Sequence, residues 1–223
     1  MKKEYLSARN KDIFYKGNEI YLKRRVFFTF KNLIKTFYNQ DIKSFEKILD
    51  LGAGDKSFVK VVRENGINCK GLDVDEIDLE NEKINYEDGE FDLVTGISLI
   101  EHIFNPSNFL KESYRVLKKD GFLILVTPDW EYNFKNFYND PTHIRPYTQR
   151  SLKFLLKSFG YYQIKIVPWL VCKPSWLWKI PFSFFIARNL PFRHNNIKFI
   201  PEFLKGKSKT LLAICKKNPS NIK

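Results

Sequence analysis

The chain has 223 residues, enough for one domain with a sizeable hydrophobic core. Its formal net charge of +13 favours an anionic partner or surface, such as a nucleic acid, a membrane or a phosphorylated substrate. Three scattered cysteines indicate neither a disulfide framework nor a zinc site. The first residues lack the apolar core of a signal peptide, and no apolar run reaches the roughly 18–20 residues of a spanning helix. A cytoplasmic protein is therefore expected.

The first 44 residues predict a basic helical segment that precedes the main domain, which we place at 45–223. Apolar residues recur there at helical spacing, at Ile20, Phe27, Phe30, Ile34 and Phe37. One interpretation is a helix that packs against the edge of the following domain. The other is a cap over a ligand site.

The stretch at 46–54, with the sequence EKILDLGAG, predicts a buried strand that runs into a glycine turn. Asp73 closes the next apolar segment. A glycine turn lets the backbone approach a bound ligand closely. An acidic side chain at the end of the neighbouring strand can hold both hydroxyls of a ribose. Together these features predict a ligand that contains adenosine.

The spacing of the glycines argues against a dinucleotide. A G-x-G-x-x-G loop needs glycine or alanine where Ser57 stands, and the dinucleotide strand is normally apolar where Asp50 stands. The pattern Asp50-x-Gly52-x-Gly54 resembles instead the first motif of class I S-adenosylmethionine-dependent methyltransferases. Lys56 occupies a position where that family often has a third glycine.

Further segments resemble the same family in the same order. They are EFDLVTG at 90–96, ISLIEH at 97–102, an amphipathic helix over 106–118 and LKKDGFLILVT at 117–127. The resemblance implies an α/β, Rossmann-like fold with a seven-stranded, mostly parallel sheet whose last strand, near 210–215, is antiparallel. Between Asp73 and Phe91 the chain is too short for a crossover helix and another strand. The second crossover is therefore expected to be abbreviated.

The resemblance also implies S-adenosyl-L-methionine as the cofactor and assigns residues to it. The cofactor-binding candidates are Asp50, Gly52, Ala53, Gly54, Asp73, Asp78, Gly96 and Ile97. Asp50 would lie near the aminoacyl end and Asp73 at the ribose. Asp78 falls where relatives place a carboxylate that accepts from the adenine amino group, and a solvated loop aspartate is the equal alternative. In similar enzymes an N-terminal segment such as 1–44 covers the cofactor.

Motifs that the sequence lacks exclude some classes of methyl acceptor. Enzymes that methylate exocyclic base amines usually carry Asn/Asp-Pro-Pro-Tyr/Phe after the fourth strand, where this chain has GISLIEH. No cysteine follows a proline, as the nucleophile of cytosine C5 enzymes typically does. Oxygen methylation is therefore favoured over nitrogen. The acid cluster of catechol-type metal sites is also absent, and no metal is predicted, although Asp129, Asp140 and His143 keep a metal site open as an alternative.

The segment NDPTHIRPYT at 139–148 resembles a stretch of methyltransferases found in bacterial surface-polysaccharide and glycan biosynthesis. His143 is the first candidate for the general base, with Asp140 or another carboxylate orienting it. It could equally brace the loop or cap the helix that follows. Arg145 and Tyr147 are candidates for substrate binding, because a guanidinium can hold a phosphate or carboxylate in a bidentate fork. A salt bridge within the loop is the alternative for the arginine.

His102 is a second catalytic candidate, although packing or support of the cofactor is the more common role at its position. A helix over 148–159 and a strand over 161–167 precede an insert at 168–206 in which aromatic residues alternate with basic residues and prolines. The insert predicts peripheral membrane contact through 169–200, a lid over the acceptor, or a flap that buries its rings. His194 within it is expected at the surface.

Taken together, the sequence predicts O-methylation of a sugar hydroxyl on a nucleotide-activated, lipid-linked or surface-polysaccharide glycan. The partner would be an anionic small-molecule or glycan substrate, met in the cytoplasm or at the inner face of the membrane. One alternative is a methyltransferase for a quinone or another lipid-soluble small molecule. Another is an RNA-binding protein or RNA methyltransferase on the same fold, although no RNA-binding module is recognised and nucleic acid is the less favoured partner.

Overall fold

The computed structural model describes residues 19–169, 175–180, 182–191 and 207–219. The helices are α1 (Glu19–Tyr38), α2 (Ser57–Glu64), α3 (Ser107–Val116), α4 (Trp130–Phe137), α5 (Gln149–Ser158) and α6 (Ser183–Asn189). The strands are β1 (Lys47–Leu51), β2 (Asn68–Leu72), β3 (Phe91–Ile97), β4 (Leu117–Pro128), β5 (Tyr161–Pro168) and β6 (Thr210–Lys217). Short 3₁₀ turns cover Ile42–Ser44, Ile100–His102 and Ser175–Lys179.

The strands form one sheet in the order β2-β1-β3-β4-β6-β5. The four strands β2, β1, β3 and β4 are parallel to one another, and β6 is antiparallel to both β4 and β5. The expected Rossmann-like, mostly parallel sheet with an antiparallel last strand is confirmed. Since β1, β2, β3 and β4 end at the same edge, ligands are expected in the crevice outside those carboxyl ends.

The seventh strand that the resemblance implied is not confirmed, because the described residues form a six-stranded sheet with β2 at its edge. The segment from 73 to 90 contains turns but neither a helix nor a strand. Its backbone carbonyls are satisfied from α3: Arg115 donates to the carbonyls of Ile84 and Tyr86, and Asn108 donates to those of Leu79 and Glu82. Side chains thus replace the ladder that another strand would supply.

Two hydrophobic layers cover the sheet. On one face α1 and α2 pack together, with the rings of Phe30 and Phe58 5.7 Å apart and both fully buried. On the other face α3 and α5 bury Phe109, Leu152 and neighbouring residues. The described part of the N-terminal segment, α1, therefore packs on a face of the sheet, while residues 1–18 lie outside the described part. Within the described ranges, none of the helices combines the length and hydrophobicity needed to cross a bilayer.

The described part of the insert folds back towards the sheet. The Trp178 ring is buried against Phe37 of α1, 6.3 Å between centroids, and its indole N–H donates to the carbonyl of Pro168. By contrast, Phe182 and Phe185 are 81% and 68% exposed. The insert thus buries one ring as a packed flap would and exposes others. His194 lies outside the described residues.

Candidate cofactor and acceptor site

The glycine turn leaves β1 in backbone conformations that favour glycine. Gly52 and Gly54 have φ angles of 73° and 54°, and the Gly52 and Ala53 amides donate to the carbonyl of Leu72 at the end of β2. A Cβ atom at Gly52 would lie 2.9 Å from Leu99 Cδ1, whereas one at Gly54 would meet nothing within 4 Å. The turn is therefore packed on its Gly52 side and open at Gly54, where a ligand can approach the backbone.

Lys56 adopts the left-handed conformation that a third glycine would favour, with φ 59° and ψ 16°. This conformation costs a non-glycine residue about 1–2 kcal/mol. Its ammonium pairs with Glu76 at 2.9 Å, and the neighbouring Asp55 carboxylate accepts from the Ser57 amide at the start of α2. The turn therefore keeps its path although the third glycine is missing.

Asp50 is buried at the end of β1, where the Thr95 hydroxyl donates to its carboxylate at 2.7 Å. Burial raises the pKa of Asp50 to about 6, the Thr95 hydrogen bond and Lys23 of α1 oppose this rise, and the carboxylates of Asp73 and Asp55 add to it. A buried carboxylate that is costly to ionise is stabilised by a cationic ligand group. Asp73 follows β2 and is half-buried, which leaves it accessible at the same edge.

Three other predicted cofactor residues, Asp78, Gly96 and Ile97, are described by their position and their contacts within the protein. The Asp78 carboxylate accepts from the backbone amide two residues on and from the Asn81 side chain, so it stabilises its own turn. A Cβ atom at Gly96 would lie 3.0 Å from Leu125 Cδ2, so packing within the core is tight at this position whether or not a cofactor is bound. Ile97 is partly exposed at the end of β3. Their contacts with a cofactor stay predictions.

The open turn at Gly54, the buried carboxylate of Asp50 and the accessible carboxylate of Asp73 fit a ligand that joins a ribose to a cationic amino acid. The turn supplies space for close approach, Asp73 can accept from ribose hydroxyls, and Asp50 favours positive charge. The residues at this edge therefore suit S-adenosylmethionine, which carries both an adenosine and positive charges.

A second cluster lies where the chain leaves β3 and β4. Glu101 and His102 belong to the 3₁₀ turn after β3, and His143 belongs to the connection between α4 and α5. The two imidazole rings lie 4.8 Å apart between centroids, and potential ligand atoms of all three residues lie within 4.8 Å of one another. Glu101 and His102 are 0% and 6% exposed. Both predicted catalytic histidines thus share one buried cluster.

The orientation of His143 follows from its neighbour on α4. Its Nδ1 lies 2.6 Å from the carbonyl oxygen of Phe137, which can only accept, so Nδ1 carries the proton and Nε2 carries the lone pair. The predicted partner Asp140 lies 3.9 Å from His143 Nε2, beyond hydrogen-bonding distance. Asp140 accepts instead from the amide and hydroxyl of Thr142, at 3.0 and 2.5 Å.

His102 is held by the same threonine. The Thr142 hydroxyl gives its proton to Asp140 and therefore faces His102 Nδ1, 2.9 Å away, with its lone pairs. The Thr142 carbonyl lies 3.1 Å from the same nitrogen. His102 Nδ1 is therefore the protonated nitrogen, and Nε2 carries the lone pair in this ring as well. The Asp140 carboxylate acts on His102 through Thr142, whereas its contact with His143 is a backbone hydrogen bond, from the His143 amide to the Asp140 carbonyl at 3.1 Å.

The segment 144–147 is fixed to the same 3₁₀ turn. The amides of Ile144 and Arg145 both donate to the carbonyl of Glu101, at 2.9 and 3.1 Å. Tyr147 is buried, and its carbonyl accepts from the Trp130 amide at the start of α4. Burial raises the pKa of the Tyr147 phenol, and the Arg145 guanidinium opposes the rise. The two residues are thus adjacent, and their contact with substrate stays a prediction.

A buried ion pair connects the insert to this edge of the sheet. Arg188 of α6 lies 2.6 Å from the carboxylate of Asp129, which follows β4, and its guanidinium stacks on Tyr132 at 4.3 Å. Burial raises the pKa of Asp129, and Arg188 opposes the rise. The ion pair fixes α6 to the end of β4 and the start of α4, and sequence reasoning did not single out Arg188.

Sequence reasoning also gave no role to Glu101 or Thr142, although both lie within motifs that it quoted. For Glu101 one signal was present, because an acidic residue stands among apolar neighbours in the run from Ile97 to Ile103. Thr142 carried no comparable signal. Its role depends on a contact across 40 residues of sequence, which only the fold brings about.

Comparison with known proteins places this geometry in a family. Residues 22–166 match the methyltransferase domain family. The norajmaline N-methyltransferase of Rauvolfia serpentina is 25% identical over 138 residues, which cover 52% of this chain and 46% of that protein. The ubiquinone biosynthesis O-methyltransferase of Pseudomonas aeruginosa is 24% identical over 102 residues, 37% of this chain and 44% of that protein. The chain thus spans less than half the length of these two relatives.

Solved structures share the fold at low sequence identity. The plantazolicin methyltransferase BpumL, determined with SAH, has a TM-score of 0.61 at 14% identity and covers 97% of this chain and 90% of its own. A SAM-dependent methyltransferase from Archaeoglobus fulgidus has a TM-score of 0.54 at 21% identity, covering 87% of this chain and 94% of its own. The match over residues 22–166 shows that the chain belongs to the methyltransferase domain family, and the solved structures share its fold.

Proposed function

We propose that this domain methylates a hydroxyl group of a sugar, on a nucleotide-activated, lipid-linked or surface-polysaccharide glycan. The observation that carries oxygen methylation is the buried cluster of Glu101, His102 and His143 at the carboxyl ends of β3 and β4. A hydroxyl acceptor must lose a proton during methylation. The cluster offers imidazole nitrogens with lone pairs for that purpose, beside the turn expected to hold the cofactor.

The roles of the residues follow from their positions. S-adenosylmethionine, when bound, supplies an electrophilic methyl group on a sulfonium. Asp73 would hold the ribose, Asp50 would favour the cationic aminoacyl end, and the bare backbone at Gly54 would permit close approach. His143 Nε2 would take the proton of the acceptor hydroxyl, because Phe137 holds the ring with its other nitrogen protonated.

The choice of a glycan is supported by two features. The segment 139–148 resembles a stretch of glycan-associated methyltransferases, and the net charge of +13 suits a phosphorylated or otherwise anionic carrier. Arg145 lies in that segment, where its guanidinium could pair with a phosphate. The similar proteins include both an O-methyltransferase and an N-methyltransferase, so they leave the acceptor atom to experiment.

The test uses S-adenosylmethionine labelled at its methyl group. The purified full chain is incubated with host extract that has been separated into soluble, lipid and RNA fractions. Label in nucleotide-sugar or glycolipid material, recovered in the sugar after acid hydrolysis, is the expected result. Label confined to RNA or to a lipid without sugar would refute the glycan assignment.

His143→Ala is expected to lower turnover by roughly 10²–10⁴-fold while cofactor binding is unchanged, since a general base contributes about that much. Turnover is followed with labelled cofactor, and affinity is measured by calorimetry. Asn139→Ala, in the exposed start of the same connection, is the control. Full activity of the histidine variant would remove His143 as the base.

A lipid-soluble acceptor is the second candidate, because exposed apolar residues lie on the insert. Phe182, Phe185 and Ile186 are 81%, 68% and 61% exposed, with the basic Lys179 nearby in sequence. The ubiquinone biosynthesis O-methyltransferase among the relatives adds support to this candidate. Flotation with anionic vesicles tests the peripheral membrane contact that it requires. A chain that stays in the bottom fraction at low salt would contradict it.

A further inference from the structure

We infer that the cluster of Glu101, His102 and His143 is a binding site for a divalent transition-metal ion, whose open positions receive hydroxyl groups of the acceptor. This inference rests on the proposed function for its acceptor, although the metal site itself is argued from the cluster alone. It departs from the sequence-based prediction of no metal, which rested on the missing acid cluster of catechol-type sites and left only Asp129, Asp140 and His143 as possible ligands. The residues that meet here are two imidazoles and one carboxylate.

The composition of the cluster selects the kind of ion. Two histidines and one carboxylate form a donor set used for zinc and related transition metals, whereas magnesium and calcium prefer oxygen donors. Three protein ligands leave at least one coordination position open, as in catalytic rather than structural sites. Each of the three residues offers one donor atom, and these atoms lie within 4.8 Å of one another.

The distances are close to those that a metal requires. A tetrahedral ion with bonds of about 2.1 Å holds its donor atoms about 3.4 Å apart. The observed separation of up to 4.8 Å would therefore have to close by about 1.4 Å, which side-chain rotations can provide.

The orientation of both imidazoles matches that of metal ligands. Metal-bound histidines almost always donate their other ring N–H to a carbonyl, carboxylate or water, which fixes the tautomer. His143 Nδ1 donates to the Phe137 carbonyl, and His102 Nδ1 faces the carbonyl and hydroxyl of Thr142. Both rings therefore present Nε2 with a lone pair. Asp140 polarises the Thr142 hydroxyl and completes the support of His102.

Backbone hydrogen bonds join the two segments that contribute residues to the cluster. The amides of Ile144 and Arg145 donate to the Glu101 carbonyl, which joins the segment that carries His143 to the turn that carries His102. These bonds join backbone atoms, so they position the cluster without using the side-chain donor atoms themselves. Preorganised ligand sets of this kind reduce the cost of binding an ion.

A bound ion changes the proposed chemistry in one respect. A sugar hydroxyl bound to a divalent cation has a lowered pKa, so it loses its proton to solvent water at neutral pH without a neutral imidazole as base. The resulting oxygen then forms the new O–C bond while the C–S bond breaks and its electron pair remains on sulfur. His143 would serve as a ligand, and the cation would favour acceptors with two adjacent hydroxyl groups.

The test measures metal binding directly, without cofactor or acceptor. The full chain is freed of metal with a chelator, dialysed and titrated with Co²⁺, and both calorimetry and the visible absorption of the bound ion are recorded. We expect one Co²⁺ per chain and displacement of cobalt by Zn²⁺. Glu101→Gln and His143→Gln should each weaken binding by about a hundredfold and Thr142→Val by about tenfold, whereas the exposed Glu87→Gln should leave it unchanged.

The outcomes separate the metal site from the proposed function. No cobalt spectrum from the unmodified chain at about 100 µM Co²⁺, or equal affinity of the unmodified chain and both ligand variants, would overturn the inference even if a glycan is methylated. If the variants unfold, as shown by circular dichroism, the spectrum of the unmodified chain still decides. Metal binding with label appearing only in RNA or lipid would retain the site and refute the glycan.

Discussion

Replacing Asp50 by asparagine is expected to change how stability depends on pH. Burial raises the folded-state pKa of this carboxyl from 3.8 to about 6, so the folded protein keeps a proton that the unfolded chain releases between these values. Stability should therefore fall as pH rises through this window and stay level above it. At about 1.4 kcal/mol per pKa unit, the loss amounts to about 3 kcal/mol.

The variant removes the titration while retaining an oxygen that can accept from the Thr95 hydroxyl, now 2.7 Å from the carboxylate. The assay is urea unfolding of both proteins between pH 4 and pH 7.5, in the absence of cofactor. Comparing the two proteins cancels the contributions of other carboxyls to the pH dependence of stability. One of these is Glu112, whose pKa is lowered by Arg115 and whose contribution has the opposite sign. The difference in unfolding free energy should grow by about 3 kcal/mol in favour of asparagine. A difference that is constant across this range would refute the burial of a titrating carboxyl here.

Two further substitutions probe packing and the cofactor. Gly71→Ala should destabilise the fold by about 1–3 kcal/mol, because its Cβ would lie 2.7 Å from Val59 Cγ2. Thermal unfolding measures the loss of stability, and Lys70→Ala, on the exposed side of β2, is the control. Asp73→Ala should weaken S-adenosylmethionine binding roughly tenfold to a hundredfold by removing charged hydrogen bonds to the ribose, while exposed Asp75→Ala should not. Unchanged affinity of the Asp73 variant would contradict its placement at the ribose.

The order and limits of many elements could be predicted from local signals. The predicted helix over 148–159 is observed as Gln149–Ser158, because Thr148 and Ser151 form a capping box at its start and Gly160 follows its end with φ 84°. The helix predicted over 106–118 begins immediately after Pro106, whose missing N–H costs little there. Such signals involve only residues that are close in sequence, so they can be recognised without knowledge of the fold.

Features that depend on distant contacts were predicted less well. The count of seven strands came from the resemblance, whereas the length of the segment after Asp73 indicated an abbreviated crossover; that segment forms turns, and Arg115 and Asn108 donate to its carbonyls. Asp140 or another carboxylate was expected to orient His143, whereas the Asp140 carboxylate bonds to Thr142, which contacts His102. Several polar groups lie near one another in the fold, and small differences in distance decide which of them form hydrogen bonds. The spacing of residues in the sequence does not encode these differences.

The backbone at the edge of the sheet is strained in the same two places where chemistry is expected. Gly52 and Lys56 leave β1 with positive φ angles, and Ser98 leaves β3 with a φ of 50°. Neighbouring strands hold two of these residues, since Leu72 of β2 accepts from Gly52, which adopts a positive φ without strain, and Val126 of β4 accepts from Ser98. The strained Lys56 donates its amide to the carbonyl of Ala53 within the turn. Strain of this kind persists only where the surroundings determine it strongly, and it clusters at functional sites.

Leu99 connects the two strained turns. Its side chain fills the space beside Gly52, where a Cβ atom would come within 2.9 Å of it, and its carbonyl accepts from the His102 amide at 2.9 Å. The glycine turn therefore needs no side chain at Gly52 because Leu99 already occupies that position. The turn that carries Glu101 and His102 is positioned against the cofactor loop by the same residue. The cofactor turn and the histidine cluster are thus built as one packed unit, so a change that displaces Leu99 would disturb both.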